Sequence, residues 1–380
     1  MPSFRKSVIP VLAICIAAPM LAAQDMPPAA SSAPASVDSR GIANTLAARL
    51  VSDFVYPDAG KRYAEALKAN AAAGRYDGLQ GLALARKLTE DVQAVAPDGH
   101  LRVGFGGEDG APPMIIRQPP PPGGQPGGPP KMVRIMPPPM VEHARWIAPG
   151  IAFVRFNLFP DDPVVTKAAQ DFMATHATAK TIIFDVRTHR GGGLDQMDVI
   201  FPKLFAKPAR LVTMATRKSV DDADGSPVAG VQSLRKVAGD PDFVTREHWA
   251  TPHKDKRLTR AKIYVLVSGA TGSAAEHFAL AFKSTRRGTL IGAPTFGANH
   301  FGGDQDLDGG FTAFIPVGRT FDPVTGKDWE GGGVQPDIAT APEDALVKAL
   351  TLSGVRASEA ARLSGEVAPK VPMISRRRGG

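Results

Sequence analysis

The stretch YVLVSGATGSAAEHFALAF, Tyr264–Phe282, changes character half-way along. Its first residues are continuously apolar. A clump of Gly, Ala, Thr and Ser follows, and then Ala275, Phe278, Ala279 and Phe282 recur at helical spacing. That order predicts a buried strand, a tight turn and a helix with one buried stripe. Ser273 stands at the junction and has two readings. In S-A-A-E it is the N-cap of a capping box, with Glu276 three residues on. It is also a hydroxyl at the positive end of a helix, where the Ala274 N–H can point at an oxyanion. The context is that of a nucleophile elbow, although G-x-S-x-G is absent. Thr271 is an alternative cap that would leave Ser273 free.

Outward from this turn the pattern repeats. IAFVRFNLF (Ile151–Phe159) and TIIFDVR (Thr181–Arg187) read as strands with a helix from about Asp162 to Thr178 between them. A helix near Leu194–Phe205, a strand RLVTMAT, and the later strands GTLIG and FTAFIPVG complete residues 146–352. Strands alternating with helices predict an α/β domain with parallel pairing. Residues 217–260 read as polar and irregular, a lid.

Upstream, Ile42, Leu46, Leu50 and Phe54 mark one helix. Asp58 is expected to cap a second, carrying Tyr63 and Leu67. Leu84, Leu88, Val92 and Val95 mark a third, ended by Pro97. Residues 38–97 are therefore expected to be a small helical domain. Residues 98–145 begin with a strand and continue as a Pro-rich loop or arm, because proline lacks the ladder donor and fixes φ. Residues 353–380 read as a basic tail.

Composition narrows the class. The 380 residues suit about two domains. The formal charge is +8, but no basic stripe is interleaved with aromatics, so no nucleic-acid partner is expected. Residues 1–23 read as an export signal: Arg5 and Lys6, an apolar stretch too short for a span, then small residues near Ala23. An Ala/Pro/Ser linker, 24–37, follows. The only cysteine, Cys15, lies inside the signal. The mature chain would then have neither disulfide nor thiol nucleophile. The expected location is periplasmic or secreted, with no stable membrane insertion after cleavage.

A serine nucleophile needs a base. His100, in the turn DGHLRV, is one candidate and His300, in FGANHFGG, its main rival. There is no HExxH or comparable spacing, so no metal site is expected. FDVRTHRGGGLDQ, Phe184–Gln196, ends a buried strand in three glycines. It lacks the dinucleotide fingerprint. Its glycines form either a tight turn or, through the N–H of Gly191 or Gly192, a second oxyanion donor.

Together these segments resemble the tail-specific, or C-terminal processing, serine peptidases. Val265–Asn299 is similar to that family's serine motif. Ile182–Gly193 is similar to its D-x-R-x-N-x-G-G segment, with His189 where Asn is usual. EGGGVQPDI, Glu330–Ile338, resembles its closing G-V-x-P-D. Many members pair the serine with a lysine, but the corresponding residue is Ala298. The resemblance is therefore to the tricorn protease and interphotoreceptor retinoid-binding protein branch. It implies that Ser273 attacks, His100 takes its proton and Glu330 orients the imidazole, with Ala274 and Gly191 or Gly192 as the oxyanion hole. Glu276 is either a helper or a cap. The implied fold is a crotonase-like, spiral ββα peptidase core with a small N-terminal helical domain. No PDZ domain is expected, since Leu101–Arg145 is too short and too Pro-rich. The substrate would be polypeptide and no cofactor is required. The alternative is a non-catalytic module on the same fold, binding an apolar ligand or a peptide.

Overall fold

Three helices lead the described chain: α1 (Ser39–Asp53), α2 (Pro57–Ala72) and α3 (Gly81–Val95). The computed structural model describes residues 38–107, 115–117, 132–134 and 138–373. The expected signal and linker, most of the Pro-rich stretch and the terminal arginines lie outside those residues. The Asp38 carboxylate caps α1 by accepting the Gly41 N–H. Asp58 is not a cap. It stands in the first turn of α2 behind Pro57 at N1, where proline removes the need for one cap acceptor. The apolar stripes Leu46/Leu50, Tyr63/Leu67 and Leu84/Leu88 are buried.

A mostly parallel sheet carries the core. It is built from β4 (Val141–Ala148), β5 (Ile151–Phe156), β6 (Thr181–Asp185), β10 (Lys262–Val267), β11 (Thr289–Gly292) and β14 (Ile338–Ala339), in the order β14-β11-β10-β6-β5-β4. Only β4 runs antiparallel. Every residue of β5 and β6 is buried, as expected of parallel strands covered on both faces. Ile182, Phe184 and Val265 face a core shared with α4 (Pro163–Thr175), α5 (Asp195–Leu204) and α7 (Ala274–Ser284). Ile183 and Leu266 face the opposite core, under α8 (Ala345–Leu352) and α9 (Ala357–Glu366).

The second sheet is antiparallel. Its path runs β1 (Arg102–Phe105), β13 (Phe311–Phe321), β7 (Ala209–Arg217), β9 (Phe243–Ala250), β8 (Leu234–Val237), with β12 (His300–Asp306) also paired to β13. The helix α3 packs against β1, and α1 against β13. A short helix α6 (Lys218–Asp222) follows β7, and β2 (Ile115–Arg117) and β3 (Met132–Arg134) pair antiparallel as a two-stranded sheet.

Two expectations change here. Residues 217–260 are not an irregular lid, because β8 and β9 extend the second sheet. In β9 the buried residues include the polar Thr245, Arg246 and His248 beside Ala250, so the strand carries no apolar/polar alternation that the sequence could reveal. The stretch read as a basic tail begins with α9, whose Ala360 and Leu363 are buried three residues apart on one face.

At the end of β6, Asp185 is fully buried between two guanidinium groups. Arg187 donates to both of its oxygens at 2.8 Å, and Arg155 Nε donates at 2.9 Å. The same arginines reach outward: Arg155 to the Val367 carbonyl and Arg187 to the Pro342 carbonyl. One carboxylate thus joins β5, β6 and the C-terminal segments. Burial works to raise its pKa, but the arginine charges and hydrogen bonds outweigh it and hold Asp185 at about 2. The folded value lies below the unfolded one near 3.9. Its contribution is therefore complete above about pH 4 and is lost as pH falls through the folded value. Asp185→Ala, which leaves two buried cations short of a partner, should cost about 3–5 kcal/mol in denaturant unfolding at pH 7. The gap between the variant and the parent should narrow at acid pH.

Candidate active site

The loops after β6 and β10 leave the carboxyl ends of adjacent parallel strands, where open α/β sheets place their sites. They are tied together. Gly272 N–H donates to the His189 carbonyl at 3.0 Å, and Thr271 Oγ1 to the Val186 carbonyl at 2.8 Å. Thr271 is therefore spent on the neighbouring loop rather than on capping.

Ser273 begins α7 with φ 55° and ψ −121°, a conformation L-residues rarely adopt. What holds it is Glu276. This buried carboxylate accepts four hydrogen bonds: Ser273 N–H (2.9 Å), Ala298 N–H (2.9 Å), Gly297 N–H (2.7 Å) and Thr295 Oγ1 (2.5 Å). Burial raises its pKa despite those donors. Glu276 thus positions both the serine and the 295–298 loop.

The Gly-rich turn supplies the opposite wall. A Cβ on Gly191 would lie 2.9 Å from Ser273 Cβ and 3.3 Å from its Oγ, and Gly191 has φ +123°. Its N–H donates to His189 Nδ1 at 3.0 Å, so that amide already has an acceptor in this structure. Burial drives His189 down to about 3, keeping the ring neutral and able to accept that bond. Gly192 is exposed and lines the cavity beside Ser273 and Ala274. Ala274 N–H is among the first amides of its helix, which have no partner within the helix.

The cavity has a volume of ≈ 510 Å³. Met214, Val228 and Trp329 give it an apolar side. His300 lies on its wall with Ser273. His300 Nδ1 meets Asp98 Oδ2 at 2.6 Å, while Nε2 is buried without a hydrogen-bond partner. Burial works to lower the His300 pKa, but the Asp98 bond and charge override it and raise the value.

His100 sits in the same cluster. Asp98 Oδ1 accepts its backbone N–H at 2.7 Å, and its ring stacks on Phe314 with centroids 5.5 Å apart. Burial drives this imidazole down to about 4, against the weaker pull of Asp98 and Glu330. Glu330 Oε1 accepts the Gly99 N–H at 3.2 Å, Oε2 accepts the Asn299 N–H at 2.8 Å, and Oε2 lies 3.9 Å from His300 Nδ1. The structure thus brings His100, His300, Glu330 and the unforeseen Asp98 together. His300, not His100, is the histidine of this cluster that lines the cavity with Ser273.

Among the described residues, Asp98, His300 and Glu330 are the group able to offer a metal three ligand atoms, all within 4.8 Å of one another. Those atoms already bond to each other and to backbone N–H groups, so the donor set is used internally.

The model of peptidase family S41 matches residues 150–340, half of the chain, and spans the Gly-rich turn, Ser273, His300 and Glu330. The chain belongs to peptidase family S41. A curated relative, the chloroplastic C-terminal processing peptidase of Tetradesmus obliquus, is 29% identical over 165 residues. That match covers 43% of this S41 chain and only 29% of the relative's length. The photosystem II D1 C-terminal processing protease has a similar fold, with a TM-score of 0.51 at 15% identity over 88% of this chain and 99% of that one. A candidate peptidase from Parabacteroides merdae gives 0.55 at 16% identity, covering 84% and 97%.

In this S41 peptidase Gly191→Ala should push its new methyl group onto the Ser273 side chain. The expected nucleophilic role of Ser273 then predicts that its labelling by a fluorophosphonate falls at least about tenfold, by analogy with losses on misplacing a reacting group. Circular dichroism should remain that of the parent.

Proposed function

We propose that the protein hydrolyses peptide bonds through an acyl-enzyme on Ser273, with the base drawn from the Asp98–His100–His300–Glu330 cluster. The observation that carries this reading is the shared cavity: a strained serine at a helix start, an open backbone amide on each side, and a buried imidazole edge on the wall. Ser273 Oγ attacks the substrate carbonyl carbon as the base takes its proton. The oxyanion is met by the N–H groups of Ala274 and Gly192, each such donor being worth about 3 kcal/mol in the transition state. The protonated base then gives its proton to the departing amine and the C–N bond breaks. Water repeats the attack on the ester, and the proton returns to Ser273.

His300 is the base this geometry favours, since it lines the cavity with Ser273, Asp98 holds its Nδ1 and its Nε2 has no hydrogen-bond partner. The family resemblance favours His100, oriented by Glu330. The two assignments share a direction and differ in place on the pH axis. A base works when neutral. With His300, kcat/KM should rise through a pKa above the ordinary imidazole value. With His100 it should rise near 4, the value that burial imposes on that ring.

The reading keeps the crotonase-like spiral core without a PDZ domain, and the export-signal pattern at the start of the chain favours substrates outside the cytoplasm. Ser273→Ala should abolish fluorophosphonate labelling, and His300→Ala should reduce kcat/KM by at least about a hundredfold. Labelling that survives in Ser273→Ala removes the nucleophile. Loss of activity in His100→Ala with His300→Ala unchanged assigns the base to His100. Tight binding of an apolar ligand with no peptide turned over would make the protein a binding module.

A further inference from the structure

A second chain of polar groups, unconnected to the first, also ends at the cavity. His277 is four residues after Ser273 on α7, hence on the same helical face, and lines the cavity although only 4% exposed. Its Nε2 meets His248 Nδ1 at 2.9 Å. His248 Nε2 meets Asp198 Oδ1 at 2.9 Å, and Ser233 donates to the other oxygen of Asp198 at 2.8 Å. With one proton on each ring the direction is forced. Asp198 accepts from His248 Nε2–H, and His248 Nδ1 accepts from His277 Nε2–H. His277 Nδ1 therefore keeps its lone pair for the cavity. Burial holds His277 well below the ordinary imidazole value, which keeps that lone pair free of a proton.

The charge of the same cavity points the same way. Asp161 and Asp195 line it, and both are exposed. Asp195 is raised by burial and by the neighbouring charges of Asp161 and Asp198, so its surroundings are of its own sign. Among the described residues, no lysine or arginine lines it. Met214, Val228 and Val231 offer an aliphatic surface between.

We infer that this cavity is a specificity pocket for a basic side chain, lysine or arginine. Its stem would lie on the aliphatic wall, its N–H donors toward His277, and its charge between Asp161 and Asp195. His277 is in this view a specificity-determining residue, kept an acceptor by Asp198 through His248.

The inference rests on Ser273 marking the reacting centre, so its test reads binding rather than turnover. Ser273→Ala protein would be titrated, by fluorescence anisotropy, with a peptide library in which one position is varied among Lys, Arg, Leu, Gln and Glu. Lys or Arg at one position should bind at least about tenfold tighter than Leu or Glu. Adding His277→Leu should reduce that preference severalfold. His277→Asn, which keeps an acceptor near the Nδ1 position, should retain most of it. Asp161→Asn with Asp195→Asn should reduce the advantage of Lys over Gln. A profile in which Leu or Glu equals Lys overturns the pocket assignment, and an unchanged preference in His277→Leu overturns the role of His277. Failure of the parent protein to react with fluorophosphonate would instead strike at the nucleophile, leaving the binding result to stand or fall separately.

Discussion

The Glu276 carboxylate is the constraint on which the site depends. It is buried, it is raised in pKa by that burial, and it is satisfied only because four donors converge on it. Three of those donors belong to the loop that leads into β12, and one to the residue that begins α7. Without this hub the N-terminus of α7 and the 295–298 loop would each lose their reason to meet, since a buried N–H without an acceptor costs about 1–3 kcal/mol. Ala298 stands where many relatives are expected to carry a lysine. Here its backbone N–H, not a side chain, serves the site.

The loops interlock through glycines as well. Thr295 N–H donates to the Val334 carbonyl at 3.2 Å and Gly331 N–H to the Gly297 carbonyl at 2.9 Å. A Cβ on Gly333 would lie 2.1 Å from the Thr295 carbonyl oxygen. The glycines of EGGGVQPDI are therefore spacers that let Glu330 approach Asn299 and Gly99. Their chemistry is backbone contact, and the acid beside them is positioned by it.

Much of this was legible along the chain. The strand–turn–helix at Ser273, the buried stripe of α7 and the parallel strands β5, β6 and β10 all follow from runs of residues that decide their own conformation. The polar partnerships did not, because sequence distance hides them. Asp98 and His300 are 202 positions apart, and nothing local distinguishes Asp98 from any other turn carboxylate. The one local hint was the turn itself, in which Asp98 accepts the N–H groups of His100 and Leu101. Glu276 looked like half of a capping box. That reading described its bond to Ser273 and missed the three donors from residues 295–298. The family resemblance put Gly191 first as oxyanion donor, with Gly192 as its alternative. Only the ring of His189, standing where the family usually has Asn, separates them.

The backbone of Ser273 has one more consequence. A non-glycine residue held at positive φ, where glycine is favoured, stores about 1–3 kcal/mol of conformational energy. A chain with glycine at 273 would shed that strain and fold more firmly while losing its hydroxyl. Under the proposed role of Ser273, reactivity and robustness are opposed at a single position.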